Sequence, residues 1–350
     1  MPNVIALDCM GGDLSPQAQV EGAVLAVREM GIPIHLVGDA PAIEAELRRL
    51  GATNLGIPVC PAEEVIGVDE QPSTAVRRKK RASLVVAHQL VKDGEAAACV
   101  SSGNTGALLA AGLFIIGRLN GVERPALAPM LPTLDGTGFL LLDAGATAEG
   151  KAEYMLQYGL MGSLYRQLVH GIAAPRVGLI NVGNEDSKGN ELYRQAFALL
   201  KAAPLNFIGN VEGRDLLLGA TDVLVCDGFT GNIVLKCIEG AGSFFSRVLR
   251  EELMASSRGM LAGFIASPTL DRLKQKLDYS EYGGAPLLGL KGVSFKAHGS
   301  ANARAIYLAL NIAHSYIASD MAWHLSKLFN PESNPENAPE AEGSIGKLVL

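Results

Sequence analysis

Ala97-Ala98-Cys99-Val100 runs straight into Ser101-Ser102-Gly103-Asn104-Thr105-Gly106: an apolar, strand-like run, then glycines and small polar residues, then a helical pattern. Two further stretches repeat the design. Val4-Ile5-Ala6-Leu7-Asp8 precedes Cys9-Met10-Gly11-Gly12-Asp13, and Val223-Leu224-Val225-Cys226-Asp227 precedes Gly228-Phe229-Thr230-Gly231-Asn232. In a parallel α/β sheet, ligands bind beyond the carboxyl ends of the strands. A glycine-rich turn that opens a helix leaves backbone N–H groups free at the positive end of the helix dipole. Three such turns on one chain point to an enzyme that handles phosphate or another small oxyanion.

Outward from these turns, the chain alternates short β-type runs with helical patterns. Strands are expected over residues 4–8, 34–38, 57–60, 97–100, 127–131, 139–143, 177–181, 206–209, 223–227 and 293–297. Helices are expected over 16–30, 42–50, 74–92, 105–118, 152–169 and 191–202. This alternation reads as an α/β fold with a mostly parallel sheet covered by helices on both faces. After Asp227 the pattern changes. A helix over 232–253, an apolar link over 257–268 and a second helix over 269–277 read as a helical hairpin, about 243–282, that leaves the body. Its expected tip carries Met260, Leu261, Phe264 and Ile265, flanked by Arg247, Arg250, Arg258, Arg272, Lys274 and Lys276. A last helix is expected over 300–329. Residues 1–329 read as one catalytic α/β domain and 330–350, rich in Pro, Glu, Asn and Ser, as a disordered tail.

Composition narrows the function. The 350 residues are 48% hydrophobic, enough for a large packed core. Only 5% are aromatic, Trp323 is the single tryptophan and the net charge is −6, which argues against nucleic acid as a partner. The cysteines, Cys9, Cys60, Cys99, Cys226 and Cys237, form no C-x-x-C pair and suit a reducing cytoplasm. The chain enters a strand at once, so no signal peptide is expected. Residues 103–117, nearly uncharged, are too short and too polar at their start to span a bilayer. The motifs GxxxxGK[ST], GxSxG and HExxH are absent, as are GxGxxG in the first βαβ unit and a clustered Cys/His set; neither a cofactor nor a metal is expected.

The remaining candidates lie at other strand ends. Asn181 opens a loop containing Lys188, which either reaches a ligand or belongs to an acidic surface loop. Asn210 precedes Arg214, which either grips an oxyanion or pairs with Glu212 and Asp215. His298 ends a strand as an acid/base, an anion donor or a structural hydrogen-bond partner. Asp8 and Asp13 either hold a lysine, orient a donor or bind a metal, or else Asp13 caps the helix that begins near Pro16 and Asp8 bonds loop backbone. Arg77-Arg78-Lys79-Lys80-Arg81, read as helical, cannot form one surface; some face the site and others attract an acidic partner, or each belongs to a solvated helix face. With the resemblance given below, the expected catalytic residues are Lys188, Asn232 and His298. The expected phosphate or substrate contacts are Asp8, Gly11, Gly12, Asp13, Ser102, Gly103, Asn104, Thr105, Asn181, Asn210, Arg214, Asp227, Gly228, Thr230 and Gly231.

In this order, Asp8-Cys9-Met10-Gly11-Gly12-Asp13, Ser101 to Ala107, Asn210-Val211-Glu212-Gly213-Arg214-Asp215, Cys226 to Asn232 and the stretch from Lys276 to Gly289 closely resemble the bacterial phosphate acyltransferases of the PlsX type, over about residues 3–325. The resemblance implies transfer of a fatty acyl group from acyl carrier protein to inorganic phosphate, giving acyl phosphate for phospholipid synthesis. It implies a three-layer, Rossmann-like α/β/α fold similar to isopropylmalate dehydrogenases and phosphotransacetylases. It also implies a homodimer at the inner face of the plasma membrane, bound peripherally to anionic lipid, with a glycerol-3-phosphate acyltransferase downstream. Thr147 stands where the family usually has Asn, and Asn184 where Glu is usual; Ser102 and Ala301 are small swaps for Ala and Ser. The rival expectations are a short-chain acyl-CoA phosphotransacetylase and a non-catalytic membrane-surface adaptor for acyl carrier protein. In the expected mechanism, the loops at 102–105 and 227–232 bind phosphate and the developing oxyanion. Lys188 and Arg214 supply charge, and His298 protonates the departing thiolate.

Overall fold

The computed structural model describes residues 3–277 and 282–330. Two sheets carry the described strands. The larger has the order β3 (Val59–Pro61), β2 (Ile34–Gly38), β1 (Ile5–Asp8), β4 (Ala98–Ser101), β12 (Val293–Lys296), β11 (Ala285–Leu288), β5 (Ala126–Leu127). Its first five strands are parallel, and β11 and β5 extend it antiparallel. The smaller sheet runs β6 (Met130–Leu131), β7 (Phe139–Leu142), β10 (Val223–Val225), β8 (Val177–Asn181), β9 (Phe207–Glu212), parallel except for β6. Every residue of β1, β4, β7 and β10 is buried, as strands covered on both faces must be.

The helices that cover the larger sheet include α1 (Gln17–Met30) and α10 (Ala303–Ala318), which pack on each other, and α4 (Ser83–Lys92) and α5 (Thr105–Ala111). Gly22 permits the first contact, because a Cβ there would stand 2.7 Å from Ala303 O and Ile306. Helices α6 (Ala152–His170) and α7 (Glu191–Ala202) cover the smaller sheet. One apolar cluster runs through both sheets, from Ile5 and Val100 to Leu142, Leu179 and Val225. The α/β/α reading and the mostly parallel strands are borne out.

Several element boundaries differ from the expectation. The run at 127–131 divides at Pro129 and bridges the sheets: Ala128 N donates to Pro286 O, while Pro129 O accepts from Leu141 N. The helix expected over 74–92 breaks into α3 (Pro72–Arg78) and α4, because Lys79 turns out to Glu70 and Arg81 N bonds Glu64. Only Arg77 and Arg78 of the basic run are therefore helical. Helix α5 continues through a π-helical turn, Gly112–Ile116, and stops at Gly117. The last helix divides into α10 and α11 (Met321–Phe329) where Asp320 takes φ 48°. Strand β11 was not expected at all. The tail at 331–350 and motif positions 278–281 lie outside the described residues.

The hairpin forms. Helix α8 (Gly228–Met254) is 27 residues, about 40 Å, and α9 (Ser257–Leu277) folds back along it. The expected link is helical instead, with Pro268 inside α9. Met260, Leu261, Phe264 and Ile265 thus lie on the first turns of α9 and are exposed, Phe264 by 82%. Among the described residues no helix is long and apolar enough to cross a membrane.

Candidate active site

Three strand-end loops of the larger sheet interlock. Buried Asp8 accepts from Met10 N at 3.1 Å and from Ser101 Oγ at 2.6 Å, and Ser101 Oγ accepts from Gly103 N at 3.0 Å. Ser102 Oγ donates to Gly11 O at 2.7 Å. Gly11 is required here, since a Cβ would lie 2.5 Å from Gly103 N. Gln19, buried on α1, donates to Gly11 O at 2.7 Å and to Ser102 Oγ at 2.9 Å. Asp13 N donates to Gly299 O, joining Gly12 and Asp13 to the loop after β12. Asn104 caps α5 by accepting from Ala107 N, and its amide donates to Gly67 O and Val68 O.

The smaller sheet supplies the facing wall in the same manner. Asp143, fully buried after β7, accepts from the N–H groups of Leu127, Gly145, Ala146 and Thr147 at 2.8–3.2 Å. Burial raises its pKa to about 6, against the pull of those four donors. Asp227 caps α8: Oδ1 accepts from Thr230 N, and Oδ2 from Tyr193 OH at 2.5 Å and Thr230 Oγ at 2.7 Å. Burial works to raise its pKa, but these hydrogen bonds win and hold it below the usual value. Gly228 and Gly231 let the first turn of α8 press on the Asp143 loop; a Cβ on Gly231 would collide with Asp143 O.

Between the walls lies a cavity of about 310 Å³. Thr105, Asn232, Lys236, Glu239, Lys296 and His298 supply its polar lining; Leu127, Pro129, Met130 and Leu235 supply apolar surface. Lys296 ends β12, and its Nζ donates to Ser102 O at 3.1 Å and to Ala297 O. Burial brings its pKa down to about 8; nearby Asp8 opposes this and Lys236 adds to it. Lys236 pairs with Glu239 at 2.7 Å. His298 accepts at Nδ1 from Ser300 N, so in the neutral ring the proton is assigned to Nε2. Burial is the first cause of its lowered pKa; Glu239 opposes this, while Lys296 and Lys236 reinforce it.

Of the expected residues, Thr105, Asn232 and His298 line the cavity. Asp8, Gly11, Gly12, Asp13, Ser102, Gly103, Asn104, Asp227, Gly228, Thr230 and Gly231 build the loops around it, and their hydrogen bonds run to those loops. The structure does not bring Lys188, Asn181, Asn210 or Arg214 into the lining. Asn181 Nδ2 donates to Asn210 Oδ1 and Lys188 O, securing the root of the 182–190 loop. Lys188, half-exposed, lies 3.7 Å from Glu185, and exposed Arg214 is 3.1 Å from Glu212. Lys296, Lys236, Asp143 and Gln19 escaped the sequence reading. The one local cue to Lys296 is its position, a lysine at a strand's carboxyl end just before Ala297-His298-Gly299. Among the described residues no group of three or more His, Cys, Asp or Glu side chains could hold a metal ion.

A family profile described as "Fatty acid synthesis protein" matches residues 3–324. A phosphate acyltransferase of Bacillus cereus (strain B4264) is 51% identical over 330 residues, 94% of this chain and 99% of the relative. One of Bacillus thuringiensis (strain Al Hakam) is 50% identical over 329 residues, 94% and 98% of the two chains. Among solved structures, a phosphotransacetylase from Streptococcus pyogenes superposes with a TM-score of 0.58 at 16% identity, covering 90% of this chain and 94% of that one. A phosphotransacetylase from Staphylococcus aureus gives 0.54 at 15% identity, covering 89% and 93%. These two likenesses bear on the fold alone. The chain belongs to the fatty acid synthesis protein family, with the phosphate acyltransferases as its relatives, and is an acyltransferase.

Proposed function

We propose that this acyltransferase moves a long-chain fatty acyl group from acyl carrier protein to inorganic phosphate, giving acyl phosphate for phospholipid synthesis. The observation that carries the reading is Lys296, a cation oriented by two backbone carbonyls toward a space it shares with Lys236, Asn232, Thr105 and His298. Such a set takes an oxyanion. The apolar side, Leu127, Pro129, Met130 and Leu235, suits the first carbons of an acyl chain.

The chemistry asks for positioning more than for proton transfer. A phosphate oxygen attacks the thioester carbonyl carbon, and a C–O bond forms while the carbonyl oxygen becomes an oxyanion. Collapse of that intermediate breaks the C–S bond, and the thiolate leaves with the electron pair. Lys296 balances the phosphate charge, with the Lys236–Glu239 pair beside it. The Asn232 amide and the Nε2–H of neutral His298 donate to the developing oxyanion. With its pKa lowered, His298 serves better as this neutral donor than as the proton source expected from sequence. Lys188 acts from the 182–190 loop, swinging toward bound phosphate.

Residues 1–329 act as one catalytic unit, which the apolar cluster common to both sheets supports. The protein works as a homodimer in the cytoplasm. Its hairpin rests on anionic lipid at the inner face of the plasma membrane through Leu261, Phe264 and Ile265. It passes acyl phosphate to a glycerol-3-phosphate acyltransferase. The test is to supply palmitoyl-acyl carrier protein with and without inorganic phosphate, with acetyl-CoA as a parallel donor, and to follow thioester loss and acyl phosphate. Phosphate-dependent acyl phosphate from the long-chain donor is expected. Turnover of acetyl-CoA alone would make the chain a short-chain phosphotransacetylase.

A further inference from the structure

A second cavity, about 380 Å³, opens on the surface and is lined by Leu113, Phe114, Arg118, Glu123, Arg124 and Tyr154. Its rim gathers cations. The Arg77 guanidinium stands 4.7 Å over the Phe114 ring and the Lys151 ammonium 5.6 Å over the Tyr154 ring. Phe114 itself is 50% exposed. Among the described residues, none of Arg77, Arg118, Arg124 and Lys151 has a carboxylate within ion-pair distance, although Arg49, Arg81, Arg194 and Arg247 do. Glu123 is the one carboxylate in the lining. On a chain of net charge −6 this concentration of unmatched cations is a local reversal of sign.

The patch is also tied to the active-site cavity by two segments of chain. Helix α5 begins at Thr105 in that cavity, and its π-helical continuation carries Phe114 into the patch, nine residues or about 14 Å further on. The second segment leaves the cavity at Ala144 and Gly145 and reaches the patch at Tyr154. Burial and then the Asp143 charge push the Tyr158 phenol up, while Arg124 opposes them, so one ring lies within electrostatic reach of both.

We infer that the Arg77–Phe114–Arg124 patch docks an acidic protein that presents the acyl thioester on a flexible arm. Like-signed cations without partners attract an acidic surface and raise its association rate. Phe114 gives the contact an apolar centre, ringed by charge in the manner of a small protein interface. Arg118 holds the patch in shape, since its guanidinium donates to Val122 O and Glu123 O. This inference rests on a carrier-bound donor and adds where the carrier sits.

The experiment uses the full chain, the Arg77→Glu/Arg124→Glu double variant and Phe114→Ala, each checked for an unchanged melting temperature. Arg118 is left intact because it braces backbone. Direct binding of acyl carrier protein is measured at low and high salt, together with KM for palmitoyl-acyl carrier protein and for palmitoyl-CoA. The double variant is expected to weaken carrier binding and raise the carrier KM at least about tenfold at low salt. Turnover of palmitoyl-CoA stays within about twofold, because Arg77 and Arg124 lie outside the reaction cavity. Phe114→Ala weakens carrier binding without changing its salt dependence. Equal binding of the carrier by wild type and double variant overturns the inference, as does no binding by wild type. Loss of anionic-vesicle binding with carrier binding retained also overturns it and hands the patch to lipid. If wild type binds the carrier but transfers no acyl group, the donor reading fails and the binding comparison still decides the patch.

Discussion

Replacing Lys296 by Met removes one charge from the cavity and little volume. Its Nζ donates to Ser102 O and Ala297 O, and its remaining hydrogen-bonding capacity is what an incoming phosphate oxygen would use. A hydrogen bond to a charged partner contributes about 1.5–3 kcal/mol, so kcat/KM for phosphate should fall about 10- to 150-fold. The pH dependence supplies an independent check. Burial brings Lys296 to a pKa of about 8, so the wild-type cation is mostly present at pH 7 and mostly lost at pH 9. Between those values kcat/KM for phosphate should drop about tenfold in the free enzyme. Phosphate itself only gains negative charge over that interval, so the sign of the effect belongs to the lysine. Lys296→Arg, charged throughout, should retain phosphate binding and lose the alkaline limb. The assay is acyl phosphate formation against phosphate concentration at several pH values. A Lys296→Met protein with the wild-type fold, a phosphate KM within threefold and the same alkaline limb would refute the assignment.

Other consequences are as direct. Gly231→Ala puts a Cβ into Asp143 O; overpacking of this kind costs about 1–3 kcal/mol, so calorimetry should find the melting temperature of a chain this long lower by roughly 1–4 °C, with turnover lost. Leu261→Glu/Phe264→Glu places two carboxylates on the exposed face of α9 and should abolish flotation with anionic liposomes while leaving turnover of soluble donor unchanged; a variant that still floats removes lipid from the hairpin's role. Lys188→Ala should lower turnover about tenfold if its loop delivers it to phosphate, and a change under threefold assigns the side chain to the surface.

The three strand–turn–helix stretches were legible because their determinants are local. Asn104 and Asp227 each accept from an N–H three residues on, so chemistry and helix start are written within one turn. Lys296 is the opposite case. In Val293-Ser294-Phe295-Lys296 a period-two reading puts the lysine on the face shared with Ser294, with nothing local to say what will cover it. Only the second sheet, whose α8 brings Lys236 and Asn232 across, turns that strand end into a cavity wall. Strand β11 was hidden for a related reason. Gly283 and Gly284 take φ of 81° and 88° and Pro286 lacks an N–H, a local composition that reads as turn. Its pairing with β12 and β5 is decided by distant partners.

The same contrast accounts for the carboxylates. Asp8, Asp143 and Asp227 all end or follow strands beside a cavity built for an anion, where their charge should repel the ligand. Each instead turns its oxygens onto neighbouring donors: Met10 N and Ser101 Oγ, four backbone N–H groups, and Tyr193 OH with Thr230. A carboxylate saturated by donors that it also positions fixes a loop more stiffly than a neutral side chain would. Its hydrogen bonds take up its charge before a ligand meets it. The charges left in the cavity lining are then Lys236, Lys296 and Glu239, with Lys236 already paired to Glu239. The unmatched charge is Lys296. Loops fixed in advance by buried aspartates, around one partly desolvated lysine, form a preorganised polar site that needs little rearrangement when phosphate becomes the nucleophile.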